Sequence, residues 1–254
     1  MAERLLYKYL DAQGAAAMLY NGNLQFTNAT RLNDPFDCHP GLIDFSKISA
    51  EQAKPWGVED TILLKSDPYR RDRERAWICS LSKVGNSLPM WTFYAKNHTG
   101  VCIGLDIEKV KPHIHYMLGA MVFNDCWDVQ YRDVVKKPDF FAKDNQDFFM
   151  YQLLTKAKDW EYEQEVRMFI FDPHQMCMDM SLPYKPKKNE VTNWKEVRAY
   201  PKISDDCFAA IYLGINIDEK HKKKIIKYAK QRNPDIKVYQ MRINPNALRL
   251  DFSE

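Results

Sequence analysis

The sequence predicts an α+β fold with a mixed sheet, built as a single domain over residues 1–254. Three observations carry this. Strand-like runs are interrupted by helical ones at irregular intervals, not in the regular alternation that makes a parallel sheet. No G-x-G-x-x-G or G-x-x-x-x-G-K-[ST] occurs, so the Rossmann and P-loop phosphate sites are unsupported. The composition, 45% hydrophobic, 13% aromatic and 28% charged, suits one large core and shows no low-complexity block.

Each element has a local reason. Residues 5–10 read as a strand rich in Leu and Tyr, and Asp11 can cap an Ala-rich helix over 12–20 that Asn21-Gly22 stops. Residues 24–27 alternate as a short strand, and Arg31 to Asp37 is turn chemistry, with Pro35 keeping Asp34 out of the helical region. The polar stretch of about 38–75 predicts a helical insertion. Strands follow over 76–81 and 100–106, separated by a helix over 88–96 that Ser87 can cap. Further strands are expected at 121–123 and 129–131, then a helix from 139 to 159. Residues 162–171 alternate well and predict a strand with Glu163, Glu165, Arg167 and Phe169 on one side. The Pro- and Lys-rich stretch 172–205 predicts a loop or flap. A buried strand at 208–214, a basic helix capped by Asp218 and running to about 232, and a closing strand at 238–243 complete the chain.

Composition also excludes classes. The longest apolar runs, such as 101–105, fall far short of the roughly 18 to 20 residues of a spanning helix, and the amino terminus lacks a signal-like apolar stretch. A cytoplasmic protein with no membrane partner is expected. Six cysteines at 38, 79, 102, 126, 177 and 207 stand singly, without the spacing of a zinc site, so reduced thiols and no bound metal are expected. A net charge of +3 is mild for a nucleic-acid protein. Local basic runs at 70–75, 185–188 and 220–224 read first as solvated faces.

The sharpest chemical feature is Trp160-Glu161-Tyr162-Glu163-Gln164-Glu165-Val166-Arg167. On a strand, Glu161, Glu163 and Glu165 would share a face with one guanidinium, Arg167, to offset them. If that face lines a cleft, one carboxyl can be perturbed and work on a ligand. If it meets water, it is the polar side of an edge strand. Relief of the crowding predicts that Glu165→Gln leaves stability unchanged or slightly raised. Ser80 and Ser82 share a strand face and either bind a ligand, orient a carboxylate or end the strand. Trp91 and Tyr94 are core aromatics or the wall of a site. His98 reads as a structural hydrogen-bonder. Asp34 and Asp37 are expected to organise their loop, Asp34 by accepting backbone N–H bonds and Asp37 by meeting an arginine such as Arg167.

These residues resemble a bacterial family known as domain of unknown function 2971. The resemblance rests on Leu6-Tyr7-Lys8-Tyr9, Leu32 to Asp37, Cys79-Ser80, Met90-Trp91 with Tyr94-Ala95 and His98-x-Gly100, and Trp160-x-Tyr162-Glu163-x-Glu165-x-Arg167. More distantly, the order of an opening Tyr-Lys-Tyr strand, a helix ending in Asn-Gly-Asn-Leu, a Ser-x-Ser strand and a late Glu-x-Glu strand is similar to the ADP-ribosyltransferase toxins. That resemblance implies a mixed split-sheet core, with NAD as substrate. It assigns Lys8 and Tyr9 of the first strand to NAD, Ser80 and Ser82 to the nicotinamide ribose, and Glu163 and Glu165 to catalysis, with Trp91 or Tyr94 on the nicotinamide. Departures are Lys8 where Arg or His is usual, and Ser-Leu-Ser where Ser-Thr-Ser is usual. The implied activity is NAD-dependent ADP-ribosylation of RNA or protein by a toxin or phage-defence effector, with an antitoxin as a further partner. Two other readings stay open: a Mg²⁺-dependent nuclease using Asp34, Asp37 and the glutamates, and a non-enzymatic nucleotide- or partner-binding module.

Overall fold

In a computed structural model, residues 4–44, 51, 73–117, 126–135, 148–171 and 197–253 are described. The chain opens with strand β1 (Leu5–Leu10) and helix α1 (Ala12–Asn21). Asp11 caps α1 by accepting from the Gly14 N–H, and Gly22 ends it with φ of 60°, a conformation glycine adopts freely. Then come β2 (Phe26–Asn28), β3 (Ala76–Ser82), helix α2 (Leu88–Phe93), β4 (Val101–Asp106) and helix α3 (Ile107–Met117). The short strands β5 (Trp127–Asp128) and β6 (Gln130–Arg132) precede helix α4 (Phe148–Leu154), β7 (Thr155–Ala157), a 3-10 segment (Lys158–Glu163) and β8 (Glu165–Phe171). The chain continues through β9 (Arg198–Ala199), β10 (Phe208–Leu213), helix α5 (Glu219–Arg232), β11 (Lys237–Ile243) and β12 (Leu250–Ser253).

The strands make a mixed sheet in the order β12-β11-β10-β4-β1-β3-β2-β9, with β8 on β3 and β5 on β8. Among the described residues, β10 and β11 alone run parallel within it, joined by α5 as a crossover, while the other pairs are antiparallel. One face carries Leu6, Ile103, Leu105 and Ile211 against Ala15 and Leu19 of α1 and Ile225 and Ala229 of α5. Helix α2 covers part of the other, where Trp91 meets Tyr9 edge-on. With apolar side chains on both faces, β4 is buried throughout, as expected of a central strand.

Strand β3 is the joint of the sheet. One edge pairs with β8 along its whole length, Ala76↔Phe171 to Ser82↔Glu165. The other is shared: β2 takes Trp77 and Ile78, and β1 reaches it only at Tyr7↔Ser82. Between these contacts the sheet parts at Ser80, and there the Lys8 ammonium donates to the Ser80 carbonyl at 2.8 Å.

Several expected elements have different bounds. The long helix of 139–159 is α4 followed by β7 and the 3-10 turn, while 139–147 lie outside the described residues. The strand expected from 162 begins at Glu165, because Gln164 takes a left-handed conformation with φ of 43°. The helix expected to 96 ends at Phe93; Lys96, Asn97 and His98 all have positive φ, and Ser87 makes no side-chain cap. Helix α3 escaped prediction because Pro112 within it reads as a breaker. The strand at 121–123, most of the 38–75 insertion and residues 172–196 of the expected flap fall outside the described residues. The end of that flap is not loop throughout, since β9 pairs with β2.

Candidate active site

Where the sheet parts, a cleft opens. It takes in Tyr7, Lys8 and Tyr9 from β1, Ser80 and Ser82 from β3, and Tyr94 from the segment after α2, together with Lys156, Glu163 and Glu165. Thus Lys8, Tyr9, Ser80, Ser82, Tyr94, Glu163 and Glu165, widely spaced in sequence, share one cavity. Its empty space is about 500 Å³ with open solvent included, of which about 100 Å³ admits the centre of a water molecule. A cleft of this size suits a single ring or sugar, and a larger ligand must extend outward.

The floor is a buried charge network. Arg167, fully buried on β8, makes two bonds to Asp37 at 2.8 and 2.6 Å and two to Glu165 at 2.8 and 3.0 Å. The i, i+2 spacing of a strand puts Glu165 and Arg167 on one face, and the Arg31–Asp37 turn brings Asp37 to meet them. Asp34 holds that turn by accepting from the Phe36 N–H at 2.9 Å, as its sequence predicts. Lys156 on β7 donates to Glu163 at 2.5 Å and Glu165 at 3.0 Å and lies 3.9 Å from Asp37. Tyr94 donates its phenol to the other Glu163 oxygen at 2.5 Å, and Asn33 donates to Tyr94.

The two glutamates are driven apart in acidity. Burial raises Glu163, and the Lys156 cation does not bring it back to the ordinary value, since Glu165 pushes it up as well. Burial would raise Glu165 too, but Arg167 and Lys156 hold it well below the usual carboxylate range, helped by a Ser80 hydrogen bond. Burial opposes the charge on Lys156, yet Glu165, Glu163 and Asp37 keep it firmly protonated. Glu165 is therefore a fixed negative charge and Glu163 the more readily protonated of the two carboxyls. Tyr94 stays a neutral donor, its phenol raised by burial and by Glu163.

Two expected ligand residues have other work. Trp91 does not line the cleft: fully buried, it donates Nε1 to the Gly85 carbonyl and stacks on His98, while Met90 and Tyr94 face the cavity. The Ser82 hydroxyl is spent on the Glu163 carbonyl at 2.6 Å, so it positions the glutamate. Glu163 and Glu165 come together across the turn at Gln164, not along a shared strand face. The crowding is also relieved by two cations instead of one. Glu165→Gln therefore removes a needed countercharge, and the expected neutral or favourable effect on stability is reversed. Lys156 escaped sequence reading because a single lysine inside an expected helix carries no pattern. Tyr131, whose hydroxyl accepts from the Glu165 N–H at 2.8 Å, had none either.

Residues 90–168 match the model of the family described as Protein of unknown function (DUF2971). That span holds Tyr94, Lys156, Glu163, Glu165 and Arg167, and bears out the family resemblance over the motifs from Met90 to Arg167. Lys8, Asp37 and Ser80 lie outside it. No curated protein and no solved structure matches the chain.

Proposed function

We propose that the cleft is the active site of an NAD-dependent ADP-ribosyltransferase acting on RNA or protein. One observation carries this reading: of the residues the resemblance selects, all but Trp91, with Lys8, Ser80, Glu163 and Glu165 among them, line one cavity at the parting of β1 from β3. In the proposed reaction the bond between nicotinamide and the ribose C1′ breaks, and its electron pair leaves with the nicotinamide, which departs neutral. The sugar takes oxocarbenium charge, which the permanently ionised Glu165 favours more strongly than it favours the ground state. The acceptor nucleophile bonds to C1′ and passes its proton to Glu163. Lys8, half-buried at the cleft, pairs the pyrophosphate, and Tyr94 sets the Glu163 carboxyl and borders the nicotinamide. Such an activity fits a toxin or phage-defence effector held in check by an antitoxin. The nuclease reading is weaker, because a metal needs free acid oxygens, whereas Asp37, Glu163 and Glu165 are engaged by Lys156 and Arg167.

The test is incubation with labelled NAD and cell lysate. Free nicotinamide and label entering RNA or protein are expected, insensitive to chelator and lost in Glu163→Gln. No nicotinamide release, or label retained in Glu163→Gln and Glu165→Gln alike, overturns the assignment.

A further inference from the structure

Helix α5 carries far more charge than the protein as a whole. Residues 218–232 hold seven Lys or Arg against Asp218 and Glu219, a net +5, while the chain nets +3. Some of these cations serve the fold. Lys222 donates to Gln240, Lys230 to the Pro234 and Ile236 carbonyls, and Arg232 to the Leu19 and Tyr20 carbonyls and Asp205. Lys220, Lys223, Lys224 and Lys227 do not. All four are exposed, and no acid pairs with them among the described residues.

At about 100° per residue these four lysines fall within a stripe roughly 100° wide, opposite Ile225 and Ala229, which pack into the core. Like charges at i, i+3 and i+4 repel by a few tenths of a kcal/mol each, and Lys220 and Lys223 stand near the positive end of the helix dipole. Beyond the contact of Lys224 with the Tyr228 ring, no bond within the described residues accounts for the stripe. Beside it lie two tyrosines: Lys224 sits 5.7 Å from the Tyr228 ring, which meets Tyr20 at 5.3 Å, and Tyr20 is 66% exposed.

We infer that the lysine stripe of α5, with the Tyr20–Tyr228 pair at its edge, is a docking surface for single-stranded nucleic acid. Lysines about 5 to 6 Å apart follow a phosphate backbone. An exposed ring face offers stacking to a base, which single strands present and duplexes conceal. An anionic membrane suits the surface less well, because the apolar side of α5 is already packed in the core and has nothing to insert. The inference goes beyond the reading of the cleft and is measured without NAD, so failure of one leaves the other standing.

The experiment is fluorescence anisotropy of the full chain with a labelled mixed-sequence single-stranded RNA, between about 50 and 200 mM salt. The combined variant Lys220→Gln, Lys223→Gln, Lys224→Gln, Lys227→Gln should bind at least about tenfold more weakly. Its salt slope should be shallower by about 3, from about 0.7 per phosphate contact on a single strand. Its melting temperature should be unchanged or raised, separating lost docking from lost folding. Tyr20→Ala should weaken binding several-fold with the salt slope unchanged. The inference is overturned if the parent does not bind single-stranded RNA, if the fourfold variant binds as the parent does, or if duplex RNA binds as well. Stronger binding to phosphatidylserine vesicles than to RNA overturns it too.

Discussion

Replacing Lys156 by Met keeps the length of the side chain and removes the cation that bridges Glu163 and Glu165. At an effective dielectric near 20, each carboxylate about 3 Å away attracts the ammonium by roughly 5 to 6 kcal/mol. Desolvation of the lysine and repulsion from Arg167 offset much of this. Breaking a buried pair by removing one partner costs about 3 to 5 kcal/mol, equivalent to a fall of about 10 °C in melting temperature for a chain of this size. The pH dependence has a definite sign. Glu163, already raised by burial, rises further without Lys156, so its folded-state pKa lies above the unfolded one. Lys156→Met should therefore show its full deficit at pH values above the folded Glu163 pKa, and recover part of it as pH falls through that pKa and the carboxyl takes a proton. Urea unfolding of both proteins at acidic and slightly alkaline pH measures this. A loss below about 1 kcal/mol, or a deficit independent of pH, would refute the view that Lys156 neutralises these acids.

Glu165→Gln should destabilise by about 3 kcal/mol, because Arg167 and Lys156 lose a countercharge, and should cut nicotinamide release by on the order of a hundredfold; thermal melting with a release assay checks both. Asp34→Ala should lose about 1 to 2 kcal/mol with the bond to the Phe36 N–H, read from denaturant midpoints, whereas loss of all activity at unchanged stability would give Asp34 a chemical role instead. At Gly100 an added Cβ would lie 2.2 Å from the Leu10 carbonyl oxygen, so Gly100→Ala should cost about 3 kcal/mol or more and reduce the yield of folded protein.

The strands were legible where burial wrote a strong pattern. Residues 76–81 and 100–106 are apolar enough to be placed almost to the residue, because strands covered on both faces leave little room for polar side chains. The Asp37–Arg167 pair was also legible, since an acid fixed by turn chemistry and a lone arginine on a buried strand each need a partner. The start of β8 was not. Alternation runs unbroken from Tyr162 through Gln164 in sequence, and only the left-handed Gln164 interrupts it, in a conformation non-glycine residues rarely signal. Trp91 fails differently: an aromatic beside a cleft and one behind it have the same local sequence, and tertiary packing alone separates them.

The span of the Arg167–Asp37 pair has a further consequence, for the order in which the protein takes shape. Its partners are 130 residues apart, and β3 gains the pairing along its full length only when β8 arrives. Closing so long a loop must precede any return from the contacts it permits, which makes such pairs slow to form. During synthesis, a chain that has not yet released Glu165–Phe171 holds Asp37 without its guanidinium and half a cleft without its acids. The chemistry of the cleft is thus withheld from the nascent chain until β8 has emerged.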